Sequence, residues 1–165
     1  MMNTRKLAIM TMFVAIAVAG SAFVSFPAGI ARAYPIQHAV NVLAAIMLGP
    51  IPALLIAFMT GLIRLLTGTG SLLAFPGGMI GAYLAGILYQ RSGKAAFAAV
   101  GEVIGTGIIA PIFAVPYAKI LMGTTVTAVF FMPPFLVSSI SGAALGLVLA
   151  ARLQHTQVGK RLETL

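Results

Sequence analysis

The chain has 165 residues, 61% of them hydrophobic, and carries only ten Lys or Arg and two acidic residues. A soluble domain of this length holds roughly 41 charges, so a water-soluble enzyme or binding domain is excluded, and the apolar content excludes a disordered chain. The net charge of +8 does not point to nucleic acid, because the basic residues stand singly or in pairs between apolar runs and form no basic face.

Charge-free runs over 7–31, 33–63, 65–90 and 120–151 each exceed the roughly 20 residues that a spanning helix needs. The period-2 alternation of a membrane barrel is absent, which leaves helices as the way to satisfy the backbone in lipid. The expected fold is therefore all-α, a polytopic membrane protein with a six-transmembrane-helix bundle forming a single domain over 1–165. In chain order, Gly, Pro and charge punctuation predict helices at 7–26, 36–47, 51–66, 73–89, 95–115 and 126–153. The second and third are short for a full crossing, so tilted or partly re-entrant segments meeting at Gly49-Pro50 are expected.

With the N-terminus in the cytoplasm, Arg5, Lys6, Arg91, Lys94, Arg152, Lys160 and Arg161 fall inside and Arg32, Arg64 and Lys119 outside, as the positive-inside bias requires. Both termini are then cytoplasmic. A cleavable leader ending near Ala31-Arg32-Ala33 is the competing reading. Its apolar stretch is longer than the roughly 7 to 15 residues of such a segment, and Pro27 intervenes.

The first polar cluster is Arg32, Tyr34, Gln37, His38 and Asn41. Gln37 with Asn41 and His38 with Asn41 are four and three residues apart, hence neighbours on a helix. Amide, imidazole and phenol groups there suit a small heterocycle, and Arg32 suits a hydroxyl or an anion; capping of the short second helix is the alternative. Arg64 closes the third helix beside Thr67-Gly68-Thr69-Gly70-Ser71 and lies on the same outer side, although snorkelling to the interface would also place it there. Gln90, Gln154, His155 and Gln157 are expected near the inner ends, meeting water or head groups. The glycine-rich turn lacks the lysine of a phosphate-binding loop, so the chain has no visible means of hydrolysing ATP.

Glu102 is the only acid between the termini. A carboxylate in mid-membrane costs about 2.5 to 3.5 kcal/mol, so ligand contact, a salt bridge to Arg64 or His38, or protonation is expected; its depth is toward the inner third. Small residues four apart occur at Ala15 and Ala19, Gly77 and Gly81, Gly101 and Gly105, and Gly142 and Gly146. Each pair makes a strip that either packs the bundle itself or docks a separate membrane subunit. With no cysteine there is no thiolate metal site and no cysteine nucleophile; no cofactor or metal is expected, and few catalytic groups remain for a membrane-bound enzyme.

With these residues in view the chain resembles the ThiW family, S-components of energy-coupling factor (ECF) vitamin transporters. The resemblance rests on Tyr34-Pro35-Ile36-Gln37-His38-Ala39-Val40-Asn41, then Leu48-Gly49-Pro50, Gly61-Leu62-Ile63-Arg64, and Ala74-Phe75-Pro76-Gly77-Gly78, in that order along nearly the whole chain. It implies a six-helix substrate-capturing subunit of a prokaryotic cell membrane. That subunit takes the thiamine precursor hydroxyethylthiazole from outside and docks on a transmembrane coupling protein with two ATP-binding cassette ATPases. Carried over residue by residue, it places Gln37, His38, Asn41, Arg64 and Phe75 at the pocket, with Phe75 stacking on the thiazole, and Ala15 with Ala19 at the coupling protein. A self-sufficient transporter coupled to protons through Glu102 or His38 is the alternative.

Overall fold

A computed structural model describes residues 4–28, 31–121, 123, 125 and 127–154 and is helical over almost all of them. The residues Val126, His155, Gln157, Lys160 and Arg161 and the side chain of Gln154 lie outside the described set. Helix α1 spans Thr4–Phe23, α2 Pro35–Leu48, α3 Pro50–Leu66, α4 Ala74–Ser92, α5 Ala95–Ile104, α6 Ala110–Leu121 and α7 Ala128–Gln154. Three helical runs are long and apolar enough to cross a membrane: Thr4–Phe23, Ala95–Leu121 and Ala128–Leu153. The protein is a multi-pass membrane protein, and many of its exposed side chains are large hydrophobics, among them Ile16, Phe58, Ile112 and Val148.

Helix α1 stops at Phe23 instead of reaching Phe26, and an antiparallel hairpin of β1 (Phe26–Ala28) and β2 (Ala31–Ala33) follows, pairing Pro27 with Arg32. Pro27 has no N–H to donate and pushes Phe26 out of the helical region, so the chain turns extended early. Arg32 then donates to the hydroxyl of Ser25 from Nε at 3.1 Å and Nη2 at 2.8 Å.

The expected turn between the second and third helices is present and is one residue long. Gly49, at φ +87°, alone separates α2 from α3, and Pro50 starts α3 at a position where a missing N–H costs nothing. Helix α2 has 14 residues, about 21 Å at 1.5 Å per residue, yet it forms the centre of the bundle, packed by α1, α3, α4, α5 and α7. Protein surrounds it, so it has no need to match the hydrocarbon thickness.

The fifth expected helix runs further than 115. Helix α5 passes through one π-helical stretch, Gly105–Ile109, into α6, and the run continues to Leu121 through Pro116. Three of the small-residue strips are internal. A Cβ on Gly101 would lie 2.7 Å from the Ala85 backbone, one on Gly105 2.7 Å from Gly81, and one on Gly142 2.6 Å from the Pro35 carbonyl. These contacts bring α5 onto α4 and α7 onto α2. The fourth strip differs: Ala15 and Ala19 are exposed on α1, whose buried face is Met10, Phe13, Ala17 and Ser21.

Candidate functional site

The hairpin, the turn between α3 and α4, and the first turns of α2, α4 and α7 meet at one end of the bundle around a cavity of about 310 Å³. Arg32 and Tyr34 line it from the hairpin side, Gln37 and His38 from α2, and Arg64 from the end of α3. Residues 68–71, Gly77, Gly78, Thr106, Phe135 and Ser138 complete the wall. Its size is at the lower end of small-molecule pockets, roughly 300 to 1,000 Å³, which suits a single substituted ring. The backbone N–H of Tyr34 donates to Ser138 at 2.8 Å and so ties the start of α2 to α7.

Arg64 organises the upper part. Although it closes a helix, it does not snorkel: it is 2% exposed. The Thr67–Ser71 turn folds back over it, the N–H groups of Thr69 and Gly70 both bonding the Arg64 carbonyl at 2.9 Å. Its guanidinium donates through Nη1 to Gln37 Oε1 and through Nη2 to the Thr69 carbonyl at 2.9 Å, and its Cζ lies 3.9 Å from the centroid of the Tyr34 ring.

Glu102 organises the lower part. It stands seven residues into α5, fully buried, and of the two side chains expected as its partner His38, not Arg64, lies beside it: Nδ1 is 2.6 Å from Glu102 Oε1. The same oxygen accepts from Asn41 Nδ2 at 3.0 Å and from the Thr106 hydroxyl at 3.1 Å. Asn41 Nδ2 also donates to the Gly78 carbonyl at 3.2 Å, and the single Thr106 hydroxyl proton is shared between Glu102 Oε1 and the Gly77 carbonyl at 2.8 Å. Glycine at 81 is required for this packing, since a Cβ there would lie 2.8 Å from Glu102 Oε2.

The structure thus brings Gln37, His38, Arg64, Tyr34 and Arg32 to the cavity wall, and puts Asn41 and Glu102 one layer beneath it. It does not bring Phe75 there. That ring packs on Phe58, centroids 5.7 Å apart, and along Gly61, while Phe135 of α7 joins Tyr34 as an aromatic residue of the wall. Glu102 lies beneath the cavity wall, where the carbonyls of Gly77 and Gly78 near the start of α4 share its network. Thr106 was legible as the residue four after Glu102, whereas Phe135 sits in a uniformly apolar run with no distinguishing signal.

Fold and site together describe a multi-pass membrane protein with a polar-lined cavity at one end of its bundle. The family profile for ThiW, thiamine-precursor transporter protein, matches residues 7–156, and the chain belongs to the ThiW family of transporters. No curated protein and no solved structure matches the chain.

Proposed function

We propose that the protein is the substrate-binding S-component of an ECF-type importer in a prokaryotic plasma membrane. It is one six-span body with both termini cytoplasmic and the hairpin end outside, and it captures hydroxyethylthiazole or a close thiazole relative. In this reading the ligand ring lies against Phe135, its hydroxyl or nitrogen meets His38, Gln37 or Arg64, and Asn41 and Glu102 hold His38 in place. The loaded protein docks on a transmembrane coupling protein with two ATP-binding cassette ATPases, and ATP hydrolysis there reorients it.

The observation that carries the reading is a separation of faces. The cavity is lined by no residue of α1, and α1 turns its small-residue strip, Ala15 and Ala19, away from the bundle. A binding surface for solute and one for a helix partner are thereby independent. The described basic residues agree with the orientation, with Arg5, Lys6, Arg91, Lys94 and Arg152 at the end opposite Arg32, Arg64 and Lys119.

Replacing both Ala15 and Ala19 with Leu is expected to leave thiazole affinity in calorimetry unchanged while cellular uptake falls about tenfold or more, since two added side chains hold a partner helix off the strip. Equal uptake would remove this strip from docking. The His38–Glu102 pair also favours a proton-coupled carrier; uptake of thiazole into liposomes by the purified protein under a pH gradient, without partner subunits, would establish that reading instead.

A further inference from the structure

The cavity holds one buried cation, Arg64, that no carboxylate among the described residues pairs with. Arg64 offers five N–H donors, and its bonds to Gln37 Oε1 and the Thr69 carbonyl use two. Its Nε is buried without an acceptor. All its partners are formally neutral: an amide, a backbone carbonyl and the Tyr34 ring. No ion pair joins it to a carboxylate among the described residues: Glu102 Oε1 meets His38, Asn41 and Thr106, Glu102 Oε2 has no hydrogen-bond partner, and the other acid of the chain, Glu163, lies outside the described set.

A desolvated guanidinium without a counter-charge is costly and is normally paired. Here Arg64 lines a cavity together with Arg32, and the hydroxyls of Ser71 and Ser138 share the wall. Arg32 is itself bonded only to Ser25. Between the two arginines the wall carries two fixed positive charges and no acid, since Glu102 lies behind His38.

We propose that the ligand supplies the missing negative charge, so that the site takes a small heterocycle bearing an anionic group, such as a phosphate monoester, with that group on Arg64. The inference rests on the transporter reading for the identity of the ring, but not for the charge. The ring lies against Phe135 and His38, while the anion takes the free guanidinium donors. An oxyanion accepting from Arg64 forms charge-assisted bonds, and bidentate geometry is open to it because the planar fork has spare N–H groups.

The test titrates the full-length protein in lipid nanodiscs with two pairs of compounds, hydroxyethylthiazole and its phosphate ester, and phenethyl alcohol and its phosphate ester. Each ester is expected to bind at least about tenfold tighter than its alcohol, with the advantage shrinking as salt is raised. In Arg64→Gln the ester advantage is expected to fall to within about threefold, and Arg64→Lys to keep part of it. Esters no tighter than their alcohols in the wild-type protein, or no binding by any of the four, would overturn the inference without needing any variant to fold. A thiazole pair that binds no better than the phenyl pair, with the ester preference intact, would instead sink the thiazole reading and leave the anion site standing.

Discussion

Two tiers of buried polar groups lie within one bundle, and they solve the same problem in opposite ways. In the lower tier the protein supplies most of the partners: Glu102 Oε1 meets His38, Asn41 and Thr106, and the last two are held by the carbonyls of Gly78 and Gly77, while Glu102 Oε2 is buried without a hydrogen-bond partner. In the upper tier Arg64 has only neutral partners and spare donors, and it fronts a cavity. The lower network ties α2, α4 and α5 together through protein groups, whereas the guanidinium of the upper tier keeps N–H donors for a solute. The lower tier thus sets the floor on which the upper tier works.

The difference can be broken first at its strongest point. Glu102→Ala leaves Asn41, Thr106 and His38 without their shared acceptor in a water-free layer, and is expected to destabilise the protein by about 3 kcal/mol, read as a clear fall in the thermal midpoint in detergent. An unchanged midpoint would mean that the lower tier does not hold the helices together.

Changes in the upper tier are expected to act on affinity instead. Phe135→Ala removes one of the two aromatic residues of the cavity wall, Tyr34 remaining, and is expected to weaken ligand binding about tenfold in calorimetry. Phe75→Ala, outside the wall, is expected to leave affinity within about twofold; the reverse order would return the stacking role to Phe75.

The smallest effect sharpens the boundary between the tiers. Asn41→Ala loses one bond to Glu102 and one to Gly78, and is expected to cost about 1 to 2 kcal/mol of stability. Its effect on affinity is expected to be only about threefold, since Asn41 acts on the ligand through Glu102 and His38. Membrane insertion is unchanged. A loss of affinity larger than that of Phe135→Ala would place Asn41 in the cavity itself.

Much of this was legible because helical spacing is local. Gln37, His38 and Asn41 fall within five positions of one helix, so their grouping needed no tertiary information, and Arg64 announced itself as a lone charge closing an apolar helix beside a glycine-rich turn. The hairpin was less visible: Pro27 marked the break in the first helix, but three-residue strands carry too little pattern to be read. The partner of Glu102 stayed open among several groups, because a side chain 64 residues away along the chain meets it only through the packing of α2 on α5 and α4.

The two alanines and the three glycine pairs show the same limit. Spacing alone predicted four close-packing strips, and nothing local separated them. Only the assembled bundle turned the glycines inward, onto Ala85, Gly81 and Pro35, and left Ala15 and Ala19 facing out.

By itself the sequence determined the solvent of this protein, the helical answer to that solvent, and which few side chains had chemistry to offer, since these follow from composition and periods of a few residues. The tertiary structure alone decided which of those side chains neutralise one another and which stay open to a ligand. Charge compensation in a low-dielectric interior depends on distances of a few ångströms between helices far apart in the chain, and no local pattern encodes them.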